Sequence, residues 1–322
     1  MGIAARLMAV MAVLMAAAPA VATPGAPVLE PLQVASHVYY FRGAPGMASQ
    51  ENRGFMSNAG FVVTPAGVVV FDALATPALG KAMLDAIAKV TPQPVKIIIV
   101  SHYHADHFYG LQTLAAGGAH IWAHKNAQAT LHSDLTQARL AERRAALAPW
   151  VDQHTRLRPA DRWLDLGPTK VLRFVLGGMR FAVIDASGAH SPEDLMLLVE
   201  DEGVLFAGDL FFTGRLPFVG QADSKSWLLE LDKINAMRAK IVIPGHGLAS
   251  TSPATDLELT RSYLLFLRTQ MGKAVDDMMT FDDAYKAVDW RRFEKYPAFN
   301  EANRLNANGT YLQMERESLA KP

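Results

Sequence analysis

The chain has no cysteine among its 322 residues. That excludes disulfides, thiolate metal sites, cysteine nucleophiles and a lipid-anchoring cysteine. It also lacks any block of basic residues, and its 31 Lys and Arg balance 31 Asp and Glu. A nucleic acid or an anionic membrane surface is therefore not expected as the main partner. Long apolar runs are missing except near the start. There, Arg6 precedes the short stretch Leu7 to Ala18, and Ala20-Val21-Ala22 forms a small-x-small cleavage pattern. This reads as a cleavable export signal over residues 1–22, too short to span a bilayer, and predicts a periplasmic or secreted protein. Removing it leaves 30 basic and 31 acidic residues.

Half of the residues are hydrophobic, enough for a substantial core. Short strand-like runs fall at 37–41, 60–63 and 68–71, followed by an amphipathic helix from Pro77 to about Val90. Val95 to Val100 is almost continuously apolar and reads as a buried strand. A helix from Leu111 to Ala116 and a strand at 120–123 come next. Residues 125–150 are rich in Ala, Arg, Leu and Gln, so about 125–168 reads as a helical insertion. Strands resume at 171–176, 179–185, 195–199 and 203–206, with Gly177-Gly178 as a hairpin turn. A helix at about 225–239 and a strand at 240–243 close the pattern, and 251–322 reads as a helical extension. The strand-rich halves 36–123 and 171–246 each supply one sheet, and helices outside both give four layers.

Polar residues collect where these strands end. Ser101-His102-Tyr103-His104-Ala105-Asp106-His107 follows strand 95–100. His190 follows strand 179–185, Asp209 follows 203–206, and His246 follows 240–243. Strand ends are where mixed α/β proteins gather ligands. Each residue alone has an ordinary explanation: Asp209 as a helix cap, His190 and His246 as turn residues. Their recurrence at four strand ends points instead to a metal site of imidazoles and carboxylates. By its donors alone, that site takes zinc or iron, as one ion or two.

The motifs His-x-His-x-Asp-His, Gly-x-His-Ser-Pro-x-Asp, Gly-Asp and Gly-His-Gly resemble those of the metallo-β-lactamase superfamily, over roughly residues 36–250. The resemblance implies an αβ/βα sandwich with two metals at one edge. His102, His104 and His190 would hold the first metal, Asp106, His107 and His246 the second, and Asp209 both. Five neutral imidazoles and two carboxylates set −2 against +4 from two zinc ions, which favours a bridging hydroxide because zinc lowers the pKa of bound water to about 7. Asp106 and Asp209 are then the carboxylates at the reacting centre. Iron and manganese are alternative metals. Family members with a cysteine ligand are excluded, and a flavodiiron reading is weakened because those proteins carry Glu where His104 stands. The stretch Phe211 to Ser224 and the tail Asn306 to Leu312 are similar to an exported subgroup, the quinoprotein-relay zinc metallohydrolases. This implies a small-molecule substrate and a quinoprotein system as partner.

The expected chemistry is hydrolysis of an ester, lactone, thioester or amide, β-lactams included. Two other readings remain: a mononuclear iron enzyme acting on persulfides, and a non-catalytic metal-binding partner of a quinoprotein system. Phe108, Tyr109, Phe211, Phe212, Leu216 and Phe218 are candidates for a substrate pocket, with core packing as the alternative. Arg215 is a candidate clamp for a substrate carboxylate, with a surface ion pair as the alternative. The loop Gly43–Gly54, with Met47 in it and Phe55 just beyond, is suited to fold over the site as a flap. His132 and His154 are expected outside the metal set.

Overall fold

The structure, a computed structural model, describes residues 25–167 and 170–320. The expected export signal, 1–22, lies outside the described residues. The first half contributes β1 (Leu32–Gln33), β2 (Val38–Phe41), β3 (Ala59–Thr64), β4 (Gly67–Phe71), α1 (Pro77–Val90), β5 (Val95–Ile99), α2 (Ala105–Phe108), α3 (Leu111–Leu114), β6 (His120–His124), α4 (Ala127–Leu131), α5 (Asp134–Ala146) and β7 (Arg162–Leu164). The second half contributes β8 (Val171–Leu176), β9 (Met179–Asp185), β10 (Leu195–Val199), β11 (Val204–Phe212), α6 (Ser224–Met237), β12 (Ile241–His246), α7 (Pro253–Asp276), α8 (Phe281–Ala287) and α9 (Phe299–Leu319). One sheet runs β1 to β7 in chain order, and the other runs β12-β11-β10-β9-β8.

The two sheets face each other, and the strands are apolar on both faces because each sheet is covered on both sides. In β4, Val69 and Phe71 point into the core between the sheets, while Val68 and Val70 point outward beneath α1 and α3. In β11, Phe206 faces the inter-sheet core, while Leu205 and Ala207 pack under α6 and α7. The result is the four-layer αβ/βα sandwich with a helical C-terminal region. The outer helices are begun by conventional caps: Thr76 Oγ1 accepts from Leu79 N in front of Pro77, and Asp223 accepts from Lys225 N and Ser226 N at the start of α6.

Three differences from the expected elements matter for the site. Strand β11 continues to Phe212 and β12 to His246, so Asp209 and His246 lie within paired strands. The register shifts between Phe206 and Gly208 and again before Phe212, and these irregularities let pairing continue through residues that read as turn signals. The segment 125–168 holds α4 and α5 as expected, but it also supplies β7. That strand pairs parallel with β6 and makes the segment's end part of the sheet. Ser133 separates the two helices by accepting from Thr136 N.

The C-terminal helices are tied into the sandwich by buried amides. Asn306 of α9 accepts from Val219 N and Gly220 N at 2.7 and 3.1 Å and donates to Pro217 O at 2.8 Å. Gln313 accepts from Ser224 N and Ser224 Oγ. Together they clamp the connection from β11 to α6. Among the described residues no helix is long and apolar enough to cross a membrane.

Replacing Asn306 by Ala strands two backbone donors and one acceptor in a buried setting, each worth about 1–3 kcal/mol. Asn306→Ala should therefore lower the unfolding free energy by about 2–4 kcal/mol in urea titration. A loss within about 0.5 kcal/mol, the usual range of a neutral surface change, would show that the amide is not a clamp.

Candidate metal centre

The centre forms where β4 and β5 of one sheet meet β11 and β12 of the other. His102 stands three positions after Ile99, the last residue of β5, and the chain turns so that Ala105 starts α2. His190 comes from the loop between β9 and β10, Asp209 from β11 and His246 from the end of β12. Gly245 makes the approach of the last two strands possible: a Cβ there would lie 2.0 Å from Asp209 Oδ1.

The seven side chains form two groups: His102, His104, His190 and Asp209, and then Asp106, His107 and His246. Within the first, His104 Nδ1 is 3.1 Å from His190 Nε2, which is 3.5 Å from Asp209 Oδ2. His102 Nε2 lies 4.0 Å from the same oxygen. Within the second, Asp106 Oδ2 is 3.5 Å from His107 Nε2 and 3.3 Å from His246 Nε2. Asp209 also reaches this group, with Oδ1 3.2 Å from His107 Nε2 and 3.3 Å from His246 Nε2. Its two oxygens thus face different groups. Ligands 2.0–2.1 Å from a tetrahedral zinc stand about 3.4 Å apart, so these spacings suit an ion in each group.

The unsatisfied atoms agree. His102 Nε2, His107 Nε2 and Asp209 Oδ1 are buried without a hydrogen-bond partner. Such atoms cost about 1–3 kcal/mol each unless something binds them, so the donor set fits a cation pair. The other edge of each ring is fixed. His107 Nδ1 donates to Asp72 Oδ2 at 2.8 Å, and His246 Nδ1 donates to Met56 O at 2.8 Å. His102 Nδ1 donates to Ser101 Oγ at 2.9 Å, and that hydroxyl donates to Asp72 Oδ2 at 2.8 Å. These bonds leave each Nε2 lone pair free, the arrangement expected of metal-ligating histidines. Phe212 stacks on the His246 ring at 5.2 Å and holds its plane.

Burial sets the protonation of the two groups differently. It pushes His102 far below the ordinary imidazole range, His104 down to about 3 and His190 down to about 4, reinforced by neighbouring histidines. The first group is therefore a set of neutral bases. Burial opposes charge in the second group too, but the carboxylates of Asp209, Asp106 and Asp72 outweigh it and raise His107. His246 is raised chiefly by Asp209 against the same desolvation. Burial likewise tends to raise Asp106 and Asp209, yet the adjacent imidazoles hold both well below the carboxylate range.

Asp72 has no counterpart among the expected site residues. It takes a positive φ of 64° at the end of β4, and its carboxylate accepts from Ser101 N, Ser101 Oγ and His107 Nδ1. It thus aligns a ligand of each group. The sequence shows only an Asp closing a strand.

Several expected pocket residues are elsewhere. Phe108, Tyr109, Phe211, Phe212 and Leu216 are core residues. Arg215 is not a substrate clamp: it is 1% exposed, with Nη1 3.0 Å from His246 Nδ1 and 3.4 Å from Gly46 O. The loop Gly43–Gly54 runs past the second group but is pinned by Asn52 to Met47 O and by Ala44 N to Phe55 O. His132 and His154 are exposed. Phe218 does face a cavity, its ring 6.4 Å from that of His104. The cavity measures about 770 Å³ and is bordered by His104 and His190.

Residues 52–246 match the metallo-beta-lactamase superfamily, and the chain belongs to it. A linear primary-alkylsulfatase from Pseudomonas sp. (strain ATCC 19151) is 20% identical over 266 residues, covering 70% of this chain and 49% of the relative. A type 2 metallo-beta-lactamase from Bacteroides fragilis is 27% identical over 158 residues, covering 48% and 53%. The chain thus spans about half the length of the curated relatives it matches. Among solved structures, the inverting sec-alkylsulfatase Pisa1 from Pseudomonas sp. superposes with a TM-score of 0.63 at 17% identity, covering 91% of this chain and 52% of that one. A metallo-beta-lactamase from Pontibacter korlensis gives 0.55 at 22% identity, covering 74% and 99%. These likenesses carry the fold. The named relatives are hydrolases.

Removing Asp72 frees two rings at once. Asp72→Ala should weaken metal retention about 10–100-fold, the usual cost of losing a partner that orients a ligand. Metal content measured after titration with a competing chelator tests this, and wild-type retention in Asp72→Ala would refute the role.

Proposed function

We propose that the protein is an exported hydrolase with two zinc ions, cleaving an ester, lactone, thioester or amide bond of a small-molecule substrate. The observation that carries this reading is Asp209, whose Oδ2 faces one ligand group and Oδ1 the other. His102, His104 and His190 would hold one ion, and Asp106, His107 and His246 the other, with Asp209 between. Iron or manganese would fit the same donors. Bound there, the ions supply a water acidified toward neutral pH and a Lewis acid for the substrate oxygen.

The chain's own residues do the rest. Asp72 and Ser101 hold His102 and His107 in the ligating tautomer. Asp106 and Asp209 keep negative charge at the reacting centre, because adjacent imidazoles hold both carboxyls ionised. His104 and His190 present the centre to the cavity, through which substrate enters. The apolar flanks exclude water from the sides.

A second reading is cleavage of a sulfate ester. It is favoured by coverage: the sec-alkylsulfatase likeness extends over 91% of the chain, the metallo-beta-lactamase likeness over 74%. A mononuclear iron enzyme acting on persulfides would leave Asp106, His107 and His246 without a purpose. A non-catalytic role beside a quinoprotein system would require the same metals and no turnover. Export rests on the reading of residues 1–22.

Metal analysis with a panel of a p-nitrophenyl ester, a lactone, a thioester, a cephalosporin and an alkyl sulfate separates these readings. Two metals per chain and turnover of at least one substrate are expected, with activity lost to a chelator and restored by zinc. Asp209→Ala should lower turnover by about three orders of magnitude, in keeping with loss of much of the metal-assisted rate. His246→Ala should retain one tight metal. Unchanged activity in Asp209→Ala with both metals bound would overturn the assignment.

A further inference from the structure

The 770 Å³ cavity has a composition of its own. One wall comes from α5, with Leu135 and Arg139. The opposite wall comes from α9, with Leu305 and Leu312, and Phe218 lies near its inner end beside His104. Leu135, Leu305 and Leu312 are 56%, 58% and 46% exposed, so three large apolar side chains face water around one opening. Scattered exposed leucines are ordinary, but a cluster bordering a cavity calls for an occupant.

Arg139 is half-buried in the same wall, and among the described residues it makes no ion pair or hydrogen bond. The cavity's acidic residue, Glu193, does not serve it, since its oxygens accept from Tyr103 N at 3.3 Å and Thr130 Oγ1 at 2.9 Å. A guanidinium held against apolar surface with no anion is a vacant half of a charge-assisted pair. The walls are also preformed. A Cβ at Gly309 would lie 1.7 Å from Gly220 O, so α9 packs directly on the loop that carries Phe218.

We propose that this cavity selects an anionic amphiphile, with Arg139 pairing with an anionic group remote from the scissile bond and Leu135, Leu305, Leu312 and Phe218 covering an apolar chain. The proposal rests on the hydrolytic reading for its orientation, because the bond to be cut lies at the His104 and His190 end. It names Arg139 as a specificity residue, outside the catalytic set.

The test is calorimetric binding of octanoate, butanoate and neutral octanamide to the zinc-loaded protein, which requires no turnover. Octanoate should bind at least tenfold more tightly than butanoate, since each fully buried methylene strengthens binding about fourfold. It should also bind about tenfold more tightly than octanamide, and Arg139→Gln should remove that difference while Arg139→Lys recovers part of it. Leu305→Asn combined with Leu312→Asn should erase the advantage of octanoate over butanoate; both positions are exposed, so the fold tolerates the change. Octanoate held by the metals alone would bind Arg139→Gln as well as wild type, and that result overturns the proposal, as does an absent chain-length effect. A parallel assay compares p-nitrophenyl hexanoate with mono-p-nitrophenyl adipate, whose kcat/KM should fall about tenfold in Arg139→Gln while the neutral ester stays within twofold. If binding behaves as expected and neither these esters nor any member of the substrate panel is cleaved, the hydrolytic reading falls and the cavity assignment stands.

Discussion

The structure depends on one buried carboxylate reaching two groups of imidazoles. Asp209 can do so only if β11 and β12 stay paired through its position, and only if nothing larger than hydrogen stands at Gly245. Both sheets must also be packed so that the ends of β4 and β5 meet those of β11 and β12. The apolar residues between the sheets, such as Val69, Ile99, Phe206 and Ile243, are therefore part of the site's geometry. A shift of about an ångström in their packing would move ligand atoms out of the spacing a cation requires.

This arrangement is expensive without an occupant. Four imidazoles, Asp209 and Arg215 are buried at one edge with His104 and Asp106 half-buried beside them, and three of the candidate ligand atoms have no hydrogen bond. Asp209 and Asp106 favour the charged forms of His107 and His246 against desolvation, as they would favour a bound cation. Arg215 contributes a further positive charge behind His246, and the same two carboxylates favour its charged form against desolvation. A cation pair would satisfy the orphaned atoms together, so binding free energy would become folding free energy at this edge.

How much of this was legible in the sequence follows from the range of each interaction. The ligand residues stand out because they are polar side chains placed directly after apolar strands, and that pattern is local. The four layers are legible for the same reason, from runs such as Val68 to Phe71 that are apolar on both faces. Asp72 is not legible, because its function depends on parallel pairing with β5 and on partners 29 and 35 residues away. The reach of β11 and β12 was hidden by Gly208, Pro244 and Gly245, which signal turns locally but here accommodate register shifts. The burial of Arg215 was not legible either, because it depends on contacts with Gly46 and Met47 of the 43–54 loop, 169 and 168 residues away in the chain.

The metal centre and the cavity are built from different parts of the chain. All seven candidate ligand residues lie on or between elements of the two-sheet core, from β5 to β12. The cavity takes its outer walls from α5, inside the segment before β7, and from α9, beyond the last strand. These helices supply none of the ligands, yet α9 fixes the β11–α6 connection through Asn306 and Gln313 and so sets where Phe218 stands relative to His104. On the proposed reading, chemistry and selectivity are thereby separable. A change in α5 or α9 can alter what enters without disturbing the ligand spacing, whereas a change between the sheets alters the spacing first. On that reading the superfamily's motifs constrain the reaction more closely than the substrate, and selection of the substrate falls to the two helices that the motifs do not include.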